Sequence, residues 1–377
     1  MLITNTERLK QFYSTKRIWQ GLPAIERTKN GRLFAAFYSG GIKEEFGNYA
    51  VLLKSDDDGE SWSEPIAVAY EGEEARAYDQ CLWIDQLGRL WFIWNTMPIN
   101  AVWASICNDL DADSLVWSEP FVIGNDVMIN KPTALSNGEW LFPVSAWALN
   151  LLKHVPNLAT PHAERKPYVY KTADTGKTFT CLGGAKVAYR SYDEHQILEL
   201  KDGRLLMAIR TSVGIDKSYS EDGGLTWSDS YHWLGNPNSR IFLQRLSSGN
   251  ILLVNHYKFA GRNNLTAMIS DDEGETFKGN LILDGRDNVS YPDGKEGENG
   301  FVYIVYDHER GCFCESYEKA REQAREILMA KITEEDILAG KSVSKESKLR
   351  VTISRLGDYD GDELWRYRVK YKGCMGI

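Results

Sequence analysis

Short hydrophobic runs separated by glycine turns recur along this chain. In residues 193–227, an apolar run at 197–200 meets a turn at 201–203, and a second apolar run follows at 205–209. A third segment then ends in the polar turn 220–227. Short apolar runs bounded by turn residues predict a small antiparallel sheet in this stretch.

The glycine turn of this sheet recurs along the chain. Each copy is followed by a hydrophobic strand, and the copies are Gly31, Gly88, Gly138, Gly203, Gly249 and Gly300. A self-similar unit of roughly 40 to 50 residues is typical of propellers and arrays, because it accommodates four short strands with their loops. The pattern therefore predicts an all-β protein, a six-bladed β-propeller.

A second motif, Ser/Thr-x-Asp-x-Gly-x-x-Trp/Phe, starts at Ser55, Thr172, Ser220 and Ser270. Its aspartate can accept hydrogen bonds from the turn's own amides, its glycine supplies a positive φ, and its aromatic residue can fill the space between sheets. A fifth unit keeps only Trp-Ser-Glu-Pro at 117–120, which matches 62–65. We interpret these turns as structural, so they identify the architecture and not the chemistry.

Two connections are longer than their counterparts in the other units. They cover residues 145–168 and 309–326, and the second contains a charged stretch at 315–325 that predicts a helix. Long loops in compact folds are usually functional, so we expect both to lie over the active face.

The C-terminal part has its own sequence of predicted elements. A strand at 327–332 is followed by a helix at 334–339, capped by Thr333 and ended by Gly340, and a last strand covers 349–355. Because a closed ring leaves no sheet edge exposed, we expect a terminal strand to complete a blade shared with the other end of the chain.

Composition limits the domain count and the partners. The chain has 377 residues, 43% of them hydrophobic, and the repeats run from Gly31 to Gly300 without a linker, which predicts one domain over residues 1–377. The net charge is −9 and no block of basic residues occurs, so nucleic acid is excluded as a partner. The oligomeric state is not predictable from these features.

Cysteine usage and hydropathy exclude further classes. The six cysteines lack CxxC pairs, which favours reduced structural thiols, and we expect neither a metal nor a cofactor. Neither a signal-peptide core nor an apolar run of about 18 residues occurs, so no membrane contact is expected. If the sequence begins at the native start, this predicts a cytoplasmic protein.

The repeat also predicts where a site would lie. In an up-and-down blade, the start of the first strand and the end of the second strand lie on one face, opposite the glycine turn. Polar or tyrosine residues occupy these positions in the repeats. Those before the turns are Gln20, Asp79, Lys131, Glu194, His195, Arg240 and Tyr291. Those after the turns are Tyr38, Asn95, Ser145, Arg210, His256 and Asp307. They should converge on one mouth of the central channel, either as a site or as a polar core whose members pair with one another.

With these turns and polar positions, the chain resembles the sialidase superfamily over essentially its whole length. The four Ser/Thr-x-Asp-x-Gly-x-x-Trp/Phe turns look like that family's Asp boxes, which implies a sialidase-like six-bladed propeller. The resemblance also implies a site in which three arginines hold the substrate carboxylate. In this family a tyrosine nucleophile is assisted by a glutamate, and a separate aspartate is the acid/base.

Particular residues match that pattern. Glu194 in 193–203 resembles the assisting glutamate, and Arg210 and Arg262 resemble the second and third arginines. Tyr291 lies where the nucleophile is expected. The segment 75–79 resembles the loop whose aspartate helps to bind substrate, which singles out Asp79, with Arg76 beside it.

Two positions depart from the pattern. The first arginine should precede Ile-Pro in blade one, where this chain has Gly21-Leu22-Pro23. The acid/base loop offers Glu44, Glu45 and Asn48 in place of the aspartate. Three cations can partly replace the missing arginine, namely Arg76, Lys131 and Arg240. Two histidines, His195 and His256, are either hydrogen-bonded channel residues or acid/base candidates.

The function expected first is therefore a retaining, exo-acting glycoside hydrolase for a small acidic sugar or oligosaccharide. A neutral tyrosine suits an anomeric carbon that carries a carboxylate, because the carboxylate repels an anionic nucleophile. Two alternatives remain open at this point. One is a hydrolase or lyase of uronate-containing glycans with histidine acid/base chemistry, and the other is a sugar-binding propeller without activity.

Overall fold

The computed structural model describes residues 1–147, 155, 164–311, 316 and 322–357. Within these residues, 25 strands form six antiparallel sheets, which confirms the predicted all-β six-bladed propeller. The N-terminal lead-in, which the sequence left unassigned, contains the short strand β1 (Leu2–Ile3) and the helix α1 (Thr6–Leu9), followed by 3-10 turns at Lys10–Phe12 and Ser14–Lys16. No helix of the described residues is long and apolar enough to cross a membrane.

Each blade takes its strands from one continuous part of the chain. Blade one contains β1 (Leu2–Ile3), β2 (Trp19–Arg27), β3 (Leu33–Gly40), β4 (Tyr49–Ser55) and β5 (Ala67–Ala69). Blade two contains β6 (Arg76–Ile84), β7 (Leu90–Met97), β8 (Ala101–Cys107) and β9 (Phe121–Asn125). Blade three contains β10 (Thr133–Ala134), β11 (Trp140–Ser145), β12 (Pro167–Thr172) and β13 (Thr180–Gly184).

The second half of the chain repeats this arrangement. Blade four contains β14 (Arg190–Glu199), β15 (Leu205–Thr211), β16 (Ile215–Ser220) and β17 (Tyr231–Leu234). Blade five contains β18 (Phe242–Arg245), β19 (Ile251–His256), β20 (Leu265–Ser270) and β21 (Lys278–Asp284). Blade six contains β22 (Val289–Glu296), β23 (Phe301–His308), β24 (Glu326–Thr333) and β25 (Lys348–Arg355).

The hydrophobic runs are continuous because both faces of each sheet are buried. In β3, Leu33, Ala35 and Phe37 pack against blade six, whereas Phe34 and Ala36 pack against blade two. This follows from the two-residue period of a strand, which sends successive side chains to opposite faces. Among the described residues, a separate apolar cluster lies between each pair of neighbouring blades, so the clusters close the ring.

The ring does not close by a shared blade, and that expectation is wrong for the described strands. Blade six takes all of its strands from the C-terminal part, and β1 pairs with β5 at the outer edge of blade one. Closure rests on the apolar cluster between blades one and six and on Gln20, whose amide donates to the carbonyls of Arg325 at 2.7 Å and Ser354 at 3.1 Å. Burial of both faces thus replaces strand pairing.

The Asp boxes have the predicted geometry. In the first box, Asp57 Oδ1 accepts from the Ser61 amide at 2.9 Å and from Ser55 Oγ at 2.8 Å, and Gly59 has a φ of 91°. Trp62 packs against the cluster between blades one and six. The hydrogen bonds from Ser61 and Ser55 lower the pKa of Asp57 to about 2. Equivalent aspartate bonds occur in the other three boxes.

The C-terminal elements were predicted correctly. Helix α2 (Glu334–Ala339) begins with a capping box between Thr333 and Asp336 and ends at Gly340, whose φ is 66°. The helix predicted at 315–325 lies largely outside the described residues, and the described end of it, 322–325, is not helical. The single-domain prediction for residues 1–377 remains a prediction, as does the placement of the middles of both long loops.

Candidate active site

The first strands of four blades carry a β-bulge at the same end. The register of these strands shifts at Gly21/Ala24, Tyr78/Cys81, Asp193/Gln196 and Ser290/Asp293. Bulges redirect side chains and often lie near active sites. The residues inside them with a positive φ are Leu22 at 56°, Asp79 at 44°, Glu194 at 40° and Tyr291 at 56°. Three of these four positions are therefore predicted site residues, presented from equivalent places in three blades.

Tyr291, Glu194 and Arg210 form a closely bonded cluster. The Tyr291 hydroxyl donates to Glu194 Oε1 at 3.1 Å, and Arg210 Nη1 donates to the same hydroxyl at 3.0 Å. Arg210 Nη1 also lies 2.6 Å from Glu194 Oε2. The residues are only 6%, 4% and 2% exposed, respectively. The structure thus brings together three of the residues that the sequence singled out.

Burial sets the charge state of this cluster. Burial, followed by the charge of Glu194, raises the pKa of Tyr291 above its ordinary value. The phenol is therefore neutral near pH 7. Burial disfavours the charge of Arg210, but Glu194 and Tyr291 outweigh it and raise the pKa of the guanidinium. The cluster consequently holds a neutral phenol beside a cation, with Glu194 as the acceptor of the phenolic hydrogen bond.

Three guanidiniums of the described chain surround the Tyr291 ring. The Cζ atoms of Arg310, Arg262 and Arg210 lie 4.5, 5.4 and 6.0 Å from the ring centroid. Arg262 donates to the Asn238 carbonyl at 2.8 Å, and Arg210 donates to Asn238 Oδ1 at 2.7 Å. Asn238 therefore holds Arg210 and Arg262 on the same side of the mouth.

Arg310 was not among the residues predicted from the sequence. It follows β23 by two residues, and its Nη1 lies 3.4 Å from Asp307 Oδ2 while its Nη2 lies 3.7 Å from Glu44 Oε1. Asp307 itself accepts from Ser290 Oγ at 2.6 Å and from the Leu22 amide at 2.9 Å. The sequence prediction selected the polar residue at the end of each second strand, which is Asp307 in blade six. Arg310 lies three residues beyond it.

The opposite side of the mouth is acidic. Burial, followed by the charges of Glu44 and Glu194, raises the pKa of Asp79 to about 8, against the nearby cations Arg76 and Arg310. The Asp79 carboxyl is therefore largely protonated at neutral pH. The side chain of Glu44 is 35% exposed, so it can meet a ligand directly.

Other predicted residues of this region bond mainly within their own loops. Glu45 Oε1 accepts the Ile42 amide at 3.0 Å, within the loop that carries both residues. Asn48 accepts from the Gly41 amide at 2.9 Å and donates to the Lys43 carbonyl at 2.7 Å. These contacts shape the loop that presents Glu44.

The two predicted histidines differ in their surroundings. Both ring nitrogens of His195 are bonded, Nδ1 to Ser145 Oγ at 3.2 Å and Nε2 to the Tyr168 carbonyl at 2.7 Å, and burial lowers its pKa to about 3. His195 thus ties together the two ends of the 145–168 connection and is not brought to Tyr291. His256 Nδ1 lies 2.8 Å from the Asn263 carbonyl, and burial lowers its pKa to about 4.

Lys131 and Arg240 lie within the channel. Lys131 Nζ contacts Glu26 Oε1 at 2.9 Å and Asp293 Oδ2 at 3.1 Å, and Arg240 Nη2 contacts Asp293 Oδ1 at 3.2 Å. This part of the channel is the paired polar core that the sequence left open as an alternative. Lys131 also lines a cavity of about 320 Å³ at the opposite, glycine-turn end of the channel, away from Tyr291.

Arg76 lies at the edge of the mouth. Its Cζ stacks 4.5 Å from the Tyr78 ring, and its Nη1 lies 3.4 Å from the Tyr38 hydroxyl. Of the three cations predicted to replace the missing arginine, Lys131 and Arg240 are therefore paired elsewhere, and Arg76 stacks on its own strand.

The fold is that of a sialidase-like six-bladed propeller. The chain belongs to the BNR repeat-like domain family, which matches residues 31–304. No curated protein matches the chain.

Solved structures of similar fold include sialidases of low sequence identity. The Hadza microbial sialidase Hz136 is 17% identical with a TM-score of 0.60, and the match covers 76% of this chain but only 63% of that one. The NanB sialidase of Streptococcus pneumoniae is 13% identical with a TM-score of 0.61, covering 80% of this chain and 67% of NanB. The leech intramolecular trans-sialidase is 15% identical with a TM-score of 0.61, covering 87% and 70%. At these identities the likeness establishes the fold alone.

Proposed function

We propose that this protein is a retaining, exo-acting glycoside hydrolase for a terminal acidic sugar, with Tyr291 as nucleophile. The observation that carries the proposal is the hydrogen bond of 3.1 Å from the Tyr291 hydroxyl to Glu194. A buried phenol bonded to a carboxylate is placed to lose its proton as it attacks. The leech trans-sialidase of similar fold was solved with an acidic sugar, 2,7-anhydro-Neu5Ac.

The first step is attack by Tyr291 on the anomeric carbon. The Tyr291 oxygen forms a bond to this carbon while the glycosidic C–O bond breaks, and Glu194 accepts the phenolic proton. The raised pKa of Tyr291 keeps the phenol neutral beforehand, which avoids repulsion by the substrate carboxylate. Water then attacks the glycosyl-tyrosine, Tyr291 leaves with the proton held by Glu194, and the anomeric configuration is retained.

Arg210 and Arg262 would hold the substrate carboxylate. Their guanidiniums are fixed on one side of the mouth by the common partner Asn238. Guanidiniums donate paired hydrogen bonds that match a carboxylate, and each charge-assisted bond contributes about 1.5 to 3 kcal/mol. This preference for an anion supports an acidic sugar over a neutral one.

The departing oxygen needs a proton, and the pair Asp79 and Glu44 can supply it. Asp79 is protonated at neutral pH because burial and the charge of Glu44 raise its pKa to about 8. The proton therefore comes from Asp79, and the charge of Glu44 keeps it there until the glycosidic bond breaks. Water attacking the glycosyl-tyrosine would return a proton to the same pair.

The test is turnover of an aryl sialoside by Tyr291→Phe. We expect the substitution to abolish turnover, because it removes the nucleophilic oxygen. Tyr231→Phe is the matched control, since Tyr231 lies on the outer strand β17 with 49% of its surface exposed. Trapping with a 2,3-difluoro sialic acid, whose C2 fluoride leaves as Tyr291 attacks, should add one 3-fluorosialyl group to the peptide that contains Tyr291. Full turnover by Tyr291→Phe, or a label on another residue, contradicts the proposal.

One observation favours a second candidate, a lyase or hydrolase of uronate-containing glycans. His256 Nε2 is buried without a hydrogen-bond partner among the described residues, and the charges of Arg262 and Asp307 act on the ring. A neutral histidine of this kind can serve as a base. Uronoside turnover that survives Tyr291→Phe and is lost in His256→Ala would favour this candidate, whereas binding without turnover across both sugar classes would favour a sugar-binding protein.

A further inference from the structure

Gly21 is surrounded by the side chain of Arg310. A Cβ atom built on Gly21 would lie 2.7 Å from Arg310 Cδ, 3.1 Å from Asp307 Oδ2 and 3.2 Å from Arg310 Cβ. Separations below about 3 Å are not tolerated between such atoms, so any larger residue at position 21 requires Arg310 to move. The φ of Gly21 is not in the left-handed region. Close approach, and not backbone conformation, is therefore what requires glycine here.

The side chain that fills this space ends at the Tyr291 ring. The Arg310 guanidinium lies 4.5 Å from the ring centroid, closer than those of Arg210 and Arg262. Its side chain is 10% exposed and is bordered by Asp307 at 3.4 Å and Glu44 at 3.7 Å. Arg310 thus comes from blade six over the edge of blade one into the mouth.

We propose that Arg310 supplies, from the end of β23, the guanidinium that the resembling sialidases carry at the position of Gly21, and that Gly21 is required to admit it. The inference rests on the proposed function, because it names a third contact for the substrate carboxylate. We call this pairing of Gly21 and Arg310 the exchange. The absence of a side chain at position 21 of β2 leaves the space that the Arg310 side chain fills from the end of β23.

Because Arg310 reaches the mouth from blade six, its guanidinium has particular neighbours there. Arg310 lies between the Tyr291 ring and Glu44, so it contacts both the nucleophile and one member of the acidic pair. A substrate carboxylate that binds Arg310 would draw this cation away from Glu44. Arg310 is therefore expected to affect both the affinity for the substrate and the protonation of Asp79.

The first test requires no substrate. We expect Gly21→Ala to lower Tm in the parent chain, because the added methyl group meets Arg310, and to lower it much less in an Arg310→Ala background. This coupling is the signature of direct contact between the two positions. Equal losses of Tm in both backgrounds would overturn the claim that Gly21 admits Arg310.

The second test measures binding. Titrations of N-acetylneuraminic acid and its 2,3-didehydro analogue should show that Arg310→Ala weakens binding roughly ten- to a hundredfold, the loss of one charge-assisted contact. Arg245→Ala is the control, since Arg245 pairs with Glu273 near the opposite end of the channel. Arg310→Lys should keep part of the affinity, because it keeps the charge but not the fork.

The decisive variant places the guanidinium at position 21 instead of position 310. Gly21→Arg alone should bind poorly and lose stability, whereas Gly21→Arg combined with Arg310→Ala should recover both Tm and affinity. A folded double variant that binds no better than Arg310→Ala overturns the exchange. If the parent chain binds no acidic sugar, the proposed function fails and the exchange with it. If the parent binds and Arg310→Ala binds equally well, only the role of Arg310 fails.

Discussion

Glu194→Gln should separate the stability of the site from its chemistry. Glu194 and Arg210 are both 2% exposed in their side chains and lie 2.6 Å apart. Glutamine keeps the size of the side chain but removes its charge, which leaves the Arg210 guanidinium buried without its counter-ion. Breaking a buried ion pair in this way costs about 3 to 5 kcal/mol. The free energy of unfolding should fall by that amount, a large share of a typical domain's stability.

A double-mutant cycle with Arg210→Met isolates the pair. Glu194→Gln with Arg210→Met removes both charges, so no buried ion is left without its counter-ion and much of the lost stability should return. It should recover no turnover, since neither the proton acceptor nor the carboxylate contact returns. Loss of a general base alone lowers the rate by about 10² to 10⁴-fold.

Urea unfolding followed by tryptophan fluorescence provides the free energies, and aryl sialoside turnover provides the rates. Glu139→Gln is the control, because Glu139 and Lys171 form a partly exposed ion pair at 2.8 Å, with side chains 28% and 31% exposed, and screened pairs contribute little. A Glu194→Gln protein as stable as the parent, or a coupling energy below about 0.5 kcal/mol, would refute the reasoning.

Two further predictions concern pH and ring closure. Burial and the charge of Glu44 raise the pKa of Asp79 from 3.8 to about 8, so in that window the folded chain holds a proton that the unfolded chain has released. The contribution of Asp79 to stability therefore falls as pH rises from about 4 to 8. The Tm of Asp79→Asn should rise relative to that of the parent over this range, and a constant difference in Tm would contradict this prediction. Gln20→Leu removes the bonds from Gln20 to the Arg325 and Ser354 carbonyls and should cost about 1 to 3 kcal/mol in urea unfolding. An unchanged unfolding curve would show that the apolar cluster alone closes the ring.

The fold was predictable because its signals are local. A positive φ at Gly203 and the aspartate bonds of the Ser220 box depend on residues within a few positions of one another. Their repetition along the chain then gives the number of blades. Ring closure was mispredicted, since it depends on apolar contacts between blades one and six, which are far apart in sequence.

The convergence of the candidate site residues was predictable where blades are equivalent. Glu194 and Tyr291 lie at matching bulges of β14 and β22, so counting back from each glycine turn was sufficient to find them. Arg310, which we propose as a further contact, was not selected because it lies beyond the end of its strand, and its relation to Gly21 crosses between blades. Lys131 was selected by the same counting rule, but its partners Glu26 and Asp293 come from other blades and keep it within the channel.

The strained bulges explain why the geometry of the candidate site depends on several blades at once. A non-glycine residue in the left-handed region costs about 1 to 3 kcal/mol and persists only where its surroundings fix it. The Glu194 carbonyl accepts from Asn130 Nδ2 at 2.5 Å, and Arg240 Nε donates to Asn130 Oδ1 at 2.6 Å, so residues of three blades fix this bulge.

Asp307 fixes the bulge of blade one in a similar way, since it accepts a hydrogen bond from the Leu22 amide at 2.9 Å and also borders Arg310. We therefore expect Arg240 to act on the candidate site through Asn130 and not by touching a ligand. Arg240→Met should therefore lower kcat through misplacement of Glu194, with little change in the affinity for N-acetylneuraminic acid. A large loss of affinity with kcat unchanged would instead mean that Arg240 itself reaches the sugar.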